Sequence, residues 1–275
     1  MSEQDHLAPA ASPARRREPA PPLLPPIHRI PFAAPFRWLR LGWADFQAAG
    51  LASVFYGLMF AGMGRTLVWV FRHAYAYVWA LTTGFLLVGP FMAIGLYELS
   101  RRRQRGEAPI LKPTLLAWRP NVASIGMFAL VLGVLLLLWS RASLVVMAVS
   151  FPDRMPTMED FLTHLFDDAH LVFLVVYCAV GAFFASLVFG ISVVAVPMML
   201  DRNTDGIVAA LTSLRTCQEN FAVMVLWGAL ITVLTAAGFI TFYLGLVVVV
   251  PVIGHATWHA YREIVGHPPG RVPVQ

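Results

Sequence analysis

Two histidines four positions apart, His255 and His259 in the stretch Gly254-His255-Ala256-Thr257-Trp258-His259-Ala260-Tyr261-Arg262, are the pair with the clearest chemical potential in this chain. On a helix they share a face, and neutral imidazoles at that spacing can bind one metal ion or flank a haem. The pair is an incomplete ligand set. No Cys or Asp stands at a matching spacing, and Glu98, at the corresponding depth of another apolar segment, is the one helper on offer. In the alternative reading both rings hydrogen-bond inside a helix bundle near the membrane interface, beside Trp258 and Tyr261, and no cofactor is expected. Arg65 and Arg141 stand toward the ends of apolar runs, where a charge is costly unless it reaches headgroups or a partner. Snorkelling meets that cost, and contact with an anionic substrate or lipid is the other reading. Patterns for phosphate binding, Ser-His-Asp hydrolysis, zinc proteolysis and haem attachment are absent. No catalytic residue is assigned, and the chain is not expected to be an enzyme.

The elements that must carry these residues follow from composition. Of 275 residues 58% are hydrophobic and 13% charged, with 20 basic and 15 acidic side chains and a net charge of +5. So few charges cannot cover so large an apolar surplus in water, and lipid is the solvent for much of the chain. A soluble enzyme and a free nucleic-acid binder are excluded. Residues 1–35 hold nine prolines and the run Arg15-Arg16-Arg17, which predicts a disordered cytoplasmic tail, neither cleaved nor exported. Apolar stretches follow at about 48–70, 75–97, 122–141, 170–199, 221–240 and 242–261, each near the roughly 20 residues that cross a hydrocarbon core. The last two run together from Phe221 to Tyr261, too long for one span, which predicts a hairpin turning between Gly238 and Gly245. The expectation is an all-α polytopic membrane protein with about six transmembrane helices: a tail at 1–35, a six-span domain at 36–264 and a short cytoplasmic tail at 265–275.

Six spans put both termini on one side. That side collects 16 of the 20 basic residues, whereas the connection between spans three and four carries Asp153, Glu159, Asp160, Asp167 and Asp168 against Arg154. The positive-inside rule makes the basic side cytoplasmic. A weak repeat accompanies this layout: Phe36, Leu39, Trp43 and Phe46, then Leu111, Leu115 and Trp118, then Ile207, Leu211 and Leu214 have helical spacing just before spans one, three and five. Each would lie along the cytoplasmic interface. Asp45, Asn121 or Asn220 then opens the span, and the returning helix carries Pro90, Pro197 or Pro251. The unit is an interfacial helix plus a hairpin, used three times, with the three prolines as structural or gating positions. Ala182, Ser186 and Gly190 form a small-residue stripe for close helix approach. Met59 and Met63 share a face that suits packing better than Cu(I). Cys178 and Cys217 lie at different depths and do not predict a disulfide.

Gly89-Pro90-Phe91-Met92-Ala93-Ile94-Gly95-Leu96-Tyr97-Glu98, with Gly42-Trp43-Ala44-Asp45-Phe46 upstream and the His255–His259 stretch downstream, resembles an uncharacterised bacterial integral-membrane family, domain of unknown function 2189. The resemblance spans roughly 36–264 and implies a multi-span protein of the bacterial inner membrane with no assigned activity and no catalytic residues. A label of cytochrome c oxidase subunit I, carried by some members, fails on this chain, because a haem-copper core needs about a dozen spans and six histidine ligands spread over several helices, and His255 and His259 are the pair well inside an expected span. The functional expectation is a non-catalytic accessory, scaffold or assembly factor of a membrane complex, since the spans hold few ionisable groups near the midplane. Its partners would be the bilayer, other complex subunits or a second copy, and no nucleic acid. The runner-up is a small-solute transporter or channel built from the repeated hairpins.

Overall fold

A single glycine separates the first two helices. Helix α1 (Ala34–Ala49) opens with Pro35 in its first turn, where a missing N–H costs nothing, and stops at Gly50, whose φ of +49° a Cβ would resist. Helix α2 (Leu51–His73) follows at once. Then come α3 (Val78–Gln104), the short α4 (Leu111–Thr114), a 3-10 turn at Arg119–Asn121, α5 (Val122–Ser150), α6 (Asp168–Ser192), α7 (Ala195–Arg202), α8 (Gly206–Glu219), α9 (Phe221–Ile240) and α10 (Leu246–Val265). This is a computed structural model describing residues 24–73, 78–151 and 168–266, with side chains described outside 78–90 and 168–170. Among the described residues the secondary structure is all helical. The acidic connection expected to face away from the basic side falls at 152–167, and most of the proline-rich tail at 1–23; both lie outside the described residues.

Among the described residues four stretches are long and apolar enough to cross a membrane: Leu51–His73, Leu111–Ser150, Leu171–Arg202 and Phe221–Ile240. They coincide with four of the six expected spans. Helix α10 has the length, but its second half carries His255, Trp258, His259, Arg262 and Glu263 and is mostly buried within the protein. Its polarity is therefore satisfied by neighbouring helices. The run from Phe221 to Tyr261 does bend: residues 241–245 form turns, with Phe242 and Tyr243 at positive φ and Gly245 N–H donating to Thr241 Oγ1 at 2.8 Å.

Helix α10 is the axis of the core. Glycines let two helices approach its backbone closely: a methyl on Gly42 of α1 would lie 2.6 Å from the Val252 oxygen, and one on Gly57 of α2 would lie 2.1 Å from the Val247 oxygen. Pro251 explains the second contact, because it has no N–H for the carbonyl four residues earlier, which is that of Val247. Pro197 acts differently. Its ring is incompatible with a helical carbonyl at Val193, and the chain breaks between α6 and α7 at residues 193–194. Ser213 of α8 then accepts from the Val194 N–H at 3.2 Å. Helix α3 continues through residue 90 without a break.

Burial is polarised. Buried side chains gather on α1, at the starts of α2, α5 and α9, at the ends of α3 and α10, and on α7 and α8, around Trp38, Trp227, Trp258 and Tyr261. The opposite helix ends expose Trp69, Phe71, Val145, Val149, Val172, Val175, Phe239 and Ile240. Apolar exposure on this scale belongs against lipid. The boundary of the tail moves relative to the expectation of disorder through residue 35. Residues 24–33 form a non-helical arm whose His28 N–H donates to the Ile264 oxygen at 2.8 Å, and α1 starts at Ala34. Ile27 and Ile30 pack against the core, which supplies the apolar contact that the proline count conceals.

Candidate functional site

At the end of the core, four helices far apart in sequence bring one polar side chain after another into hydrogen-bond range. Asp45 is on the buried face of α1, one turn beyond Gly42, where the tight contact with α10 turns its carboxylate inward. Ser53 opens α2, Ser100 and Arg103 lie one turn apart near the end of α3, and His255 and His259 lie one turn apart on α10. Ser100 Oγ donates to Asp45 Oδ2 at 2.5 Å, so its oxygen faces His255 Nδ1, 2.8 Å away, as an acceptor. His255 Nδ1 is then the donor, and in the neutral ring Nε2 accepts from Ser53 Oγ at 2.8 Å.

The resulting chain of donors runs Ser53, His255, Ser100, Asp45. On the other side of the carboxylate, His259 Nε2 donates to Asp45 Oδ2 at 2.9 Å, and the Arg103 guanidinium pairs with Oδ1. Gln104 closes the ring: its amide nitrogen lies 3.4 Å from His259 Nδ1, and its Oε1 accepts from Trp258 Nε1 at 3.0 Å. Burial alone would raise the Asp45 carboxyl, but the hydrogen bonds from His259 and Ser100 and the nearby imidazoles outweigh it and hold the group below its ordinary value.

This arrangement has the donor sense of a Ser-His-acid relay, with Ser100 inserted between imidazole and carboxylate. It lacks access. Ser53 and His255 are both 0% exposed, so a substrate carbonyl cannot reach the hydroxyl in this conformation. The two histidines do share a helix face, as their spacing predicts, yet their four ring nitrogens are all engaged within the protein. Among the described residues no group of three His, Cys, Asp or Glu side chains gathers in metal-holding geometry.

Glu98 takes a different partner from the one expected. It forms an ion pair of 2.5 Å with Arg101, one turn along its own helix. Arg101 also donates to the Leu200 oxygen at 3.0 Å, joining α3 to α7. There a second buried carboxylate, Asp201, accepts from Tyr261 and Arg262 of α10, each at 2.9 Å. Arg65 and Arg141 are both exposed, on α2 and α5. Pro197 and Pro251 act on the backbone as described above, and the side chain of Pro90 lies outside the described residues. The stripe Ala182, Ser186 and Gly190 faces α9 across a groove of about 740 Å³, lined on the far wall by Met224, Gly228 and Thr232. Cys217 lies at that groove with its thiol pushed up to about 11 by burial, which favours the protonated form.

The three polar residues that open the repeats have separate tasks. Asp45 is the hub just described. Asn121 donates to the Thr204 oxygen at 2.9 Å, tying the start of α5 to the α7–α8 connection. Asn220 clamps the N-terminal arm, accepting from Ile30 N–H at 2.8 Å and donating to the His28 oxygen at 3.1 Å. Sequence reasoning missed Ser53, Ser100, Arg103 and Gln104. The available signal was Asp45 itself, an acid on the same face of α1 as Trp38 and Gly42, where a buried carboxylate requires partners.

Residues 78–201 match the model of a family described as predicted integral membrane protein, DUF2189. That section runs from α3 to the end of α7 and contains Ser100, Arg103 and Asp201; Asp45, Ser53, His255 and His259 lie outside it. No curated protein and no solved structure matches the chain.

Proposed function

With its middle section matched to a family of predicted integral membrane proteins, we propose that this chain is a non-catalytic accessory, scaffold or assembly component of a larger membrane complex. The observation that carries this reading is the self-sufficiency of the polar cluster. Asp45, Ser53, Ser100 and His255 are buried among α1, α2, α3 and α10, and with His259 at the edge of the cluster they satisfy one another's hydrogen bonds, which supports a structural role. Such a cluster fixes the arrangement of helices. Meanwhile α5, α6 and α9 offer long apolar faces and a groove lined by small residues, the surface type through which membrane helices associate.

The proposed topology has six spans in three hairpins, with both termini cytoplasmic in a bacterial inner membrane. Its support is the alternation of buried starts and buried ends along the helices, the bond between His28 and Ile264 that brings the two ends of the bundle together, and the distribution of basic residues. Reporter fusions at residue 160 and at the C-terminus should read opposite sides; identical readings overturn the topology.

The function is tested by native mass and visible absorption of the protein purified from its own membranes in mild detergent. Co-purifying subunits in fixed ratio support the accessory reading. A colourless homo-oligomer removes it in favour of the second reading, a small-solute transporter or channel. That reading draws on the α6–α7 break at Pro197 and the Val247 carbonyl freed by Pro251, interruptions of the kind that line transport sites. Solute flux in proteoliposomes abolished by Pro251→Ala or His255→Ala would establish it.

A further inference from the structure

The C-terminal third of α2 carries Arg65, Trp69, Arg72 and His73 at helical spacing, and with Thr66 and Val68 they line a cleft of about 290 Å³. Helix α2 holds no acidic residue, and among the described residues neither guanidinium has a carboxylate partner. That separates them from Arg37, Arg101, Arg102, Arg103, Arg215 and Arg262, which are all paired. The indole between them is built in place. Trp69 is 59% exposed, its ring stacks on His73 at 5.1 Å and 24°, and His73 Nδ1 lies 2.8 Å from the Trp69 oxygen.

Helix α2 is one of the four stretches able to cross a bilayer, and the inference rests on its doing so. At 1.5 Å per residue from Leu51, Arg65 lies roughly 21 Å along the axis, Trp69 roughly 27 Å and Arg72 roughly 31 Å, against a hydrocarbon core of roughly 30 Å. Trp69 thus falls at the level where indoles anchor, and Arg72 at the headgroups. Arg65 starts inside the hydrocarbon and must extend along the helix past Trp69 to reach polar surroundings. Arg72 lines the same cleft two turns further along the helix. Two guanidinium groups that have no carboxylate partner among the described residues, lining one cleft with an indole near headgroup depth, offer the donors a phosphate needs.

We propose that this end of α2 binds an anionic phospholipid, with the headgroup phosphate between Arg65 and Arg72 and the glycerol region against Trp69. The test uses the full chain in mild detergent, titrated with phosphatidylglycerol or phosphatidylcholine and read by native mass spectrometry. The wild type should retain phosphatidylglycerol in preference. At about one contact's worth of affinity per arginine, the Arg65→Gln/Arg72→Gln pair should weaken that binding about thirtyfold. Arg141→Gln, which removes an exposed arginine from α5, should leave it unchanged. If the double variant does not elute as the wild type does, Arg72→Gln alone, near the helix end, should still cost about fivefold. Equal retention of phosphatidylcholine, or an equal loss with Arg141→Gln, overturns the site. Displacement of the lipid by millimolar inorganic phosphate overturns its assignment to a lipid and points to a free phosphate instead.

Discussion

The peptide oxygen of Val247 lies against the α-carbon of Gly57, because Pro251 removes the N–H that would otherwise hold that oxygen inside α10. The contact sets how closely α2 and α10 pack. Gly57→Ala should destabilise the protein by about 1–3 kcal/mol, the usual cost of forcing a methyl into a filled space. Gly62→Ala on the same helix meets nothing within 4 Å and should be neutral or mildly stabilising. Thermal unfolding in detergent checks both. Equal effects would mean that the close approach does not limit the packing.

Removing the hub of the polar cluster should cost more than removing any one spoke. Asp45→Ala strands Ser100 and His259 in a buried site, for an expected loss of about 3 kcal/mol. Arg103→Gln should cost under about 1 kcal/mol, since that side chain is 42% exposed and water replaces its partner. The same unfolding assay applies, and a costlier Arg103→Gln would displace Asp45 as the hub.

Acid should loosen the same site. The Asp45 carboxyl titrates below its ordinary value in the folded protein, so the folded state favours the charged form. Its contribution to stability is fully present above about pH 4 and is lost as pH falls through the depressed folded value. As pH falls below about 4, melting temperature should therefore drop less steeply in Asp45→Asn than in the wild type. An unchanged acid limb in that variant would assign the loss to other carboxylates.

Asn220 holds the N-terminal arm by two hydrogen bonds, to Ile30 and His28. Asn220→Ala should therefore release it at a cost of about 1–2 kcal/mol. Limited trypsin digestion should cut after Arg29 faster in the variant, and amide exchange at Ile30 should accelerate. If Arg29 is cut equally fast in both, the apolar contacts of Ile27 and Ile30 hold the arm unaided.

Apolar length made the membrane character and four of the spanning stretches legible, because a run such as Phe221–Ile240 has no other stable environment. The turn after Ile240 was legible too, from the excess length of the run. The cluster was half visible. His255 and His259 announce a shared face by spacing, but Ser53 and Ser100 are ordinary helix residues whose roles depend on which helices meet. That depends on close approach at Gly42 and Gly57, which no periodicity reports. Pro197 and Pro251 stand on corresponding returning helices in the sequence, although their spacing to the charged residue that follows differs. One breaks its helix and the other does not, because Gly57 leaves room beside the freed Val247 oxygen, whereas the Val194 N–H finds Ser213.

The bond between His28 and Ile264 joins a residue made early in synthesis to one made almost last. Asp45 and Ser53 likewise wait for His255 and His259. Until α10 leaves the ribosome, Asp45 lacks its bond from His259, Ser53 and Ser100 lack the His255 ring between them, and the arm lacks its bond to Ile264, so closure of the bundle is a late event. A chain shortened before residue 255 keeps its most apolar helices and loses the closure, which makes such truncations insertable yet recognisable to quality control as unfinished.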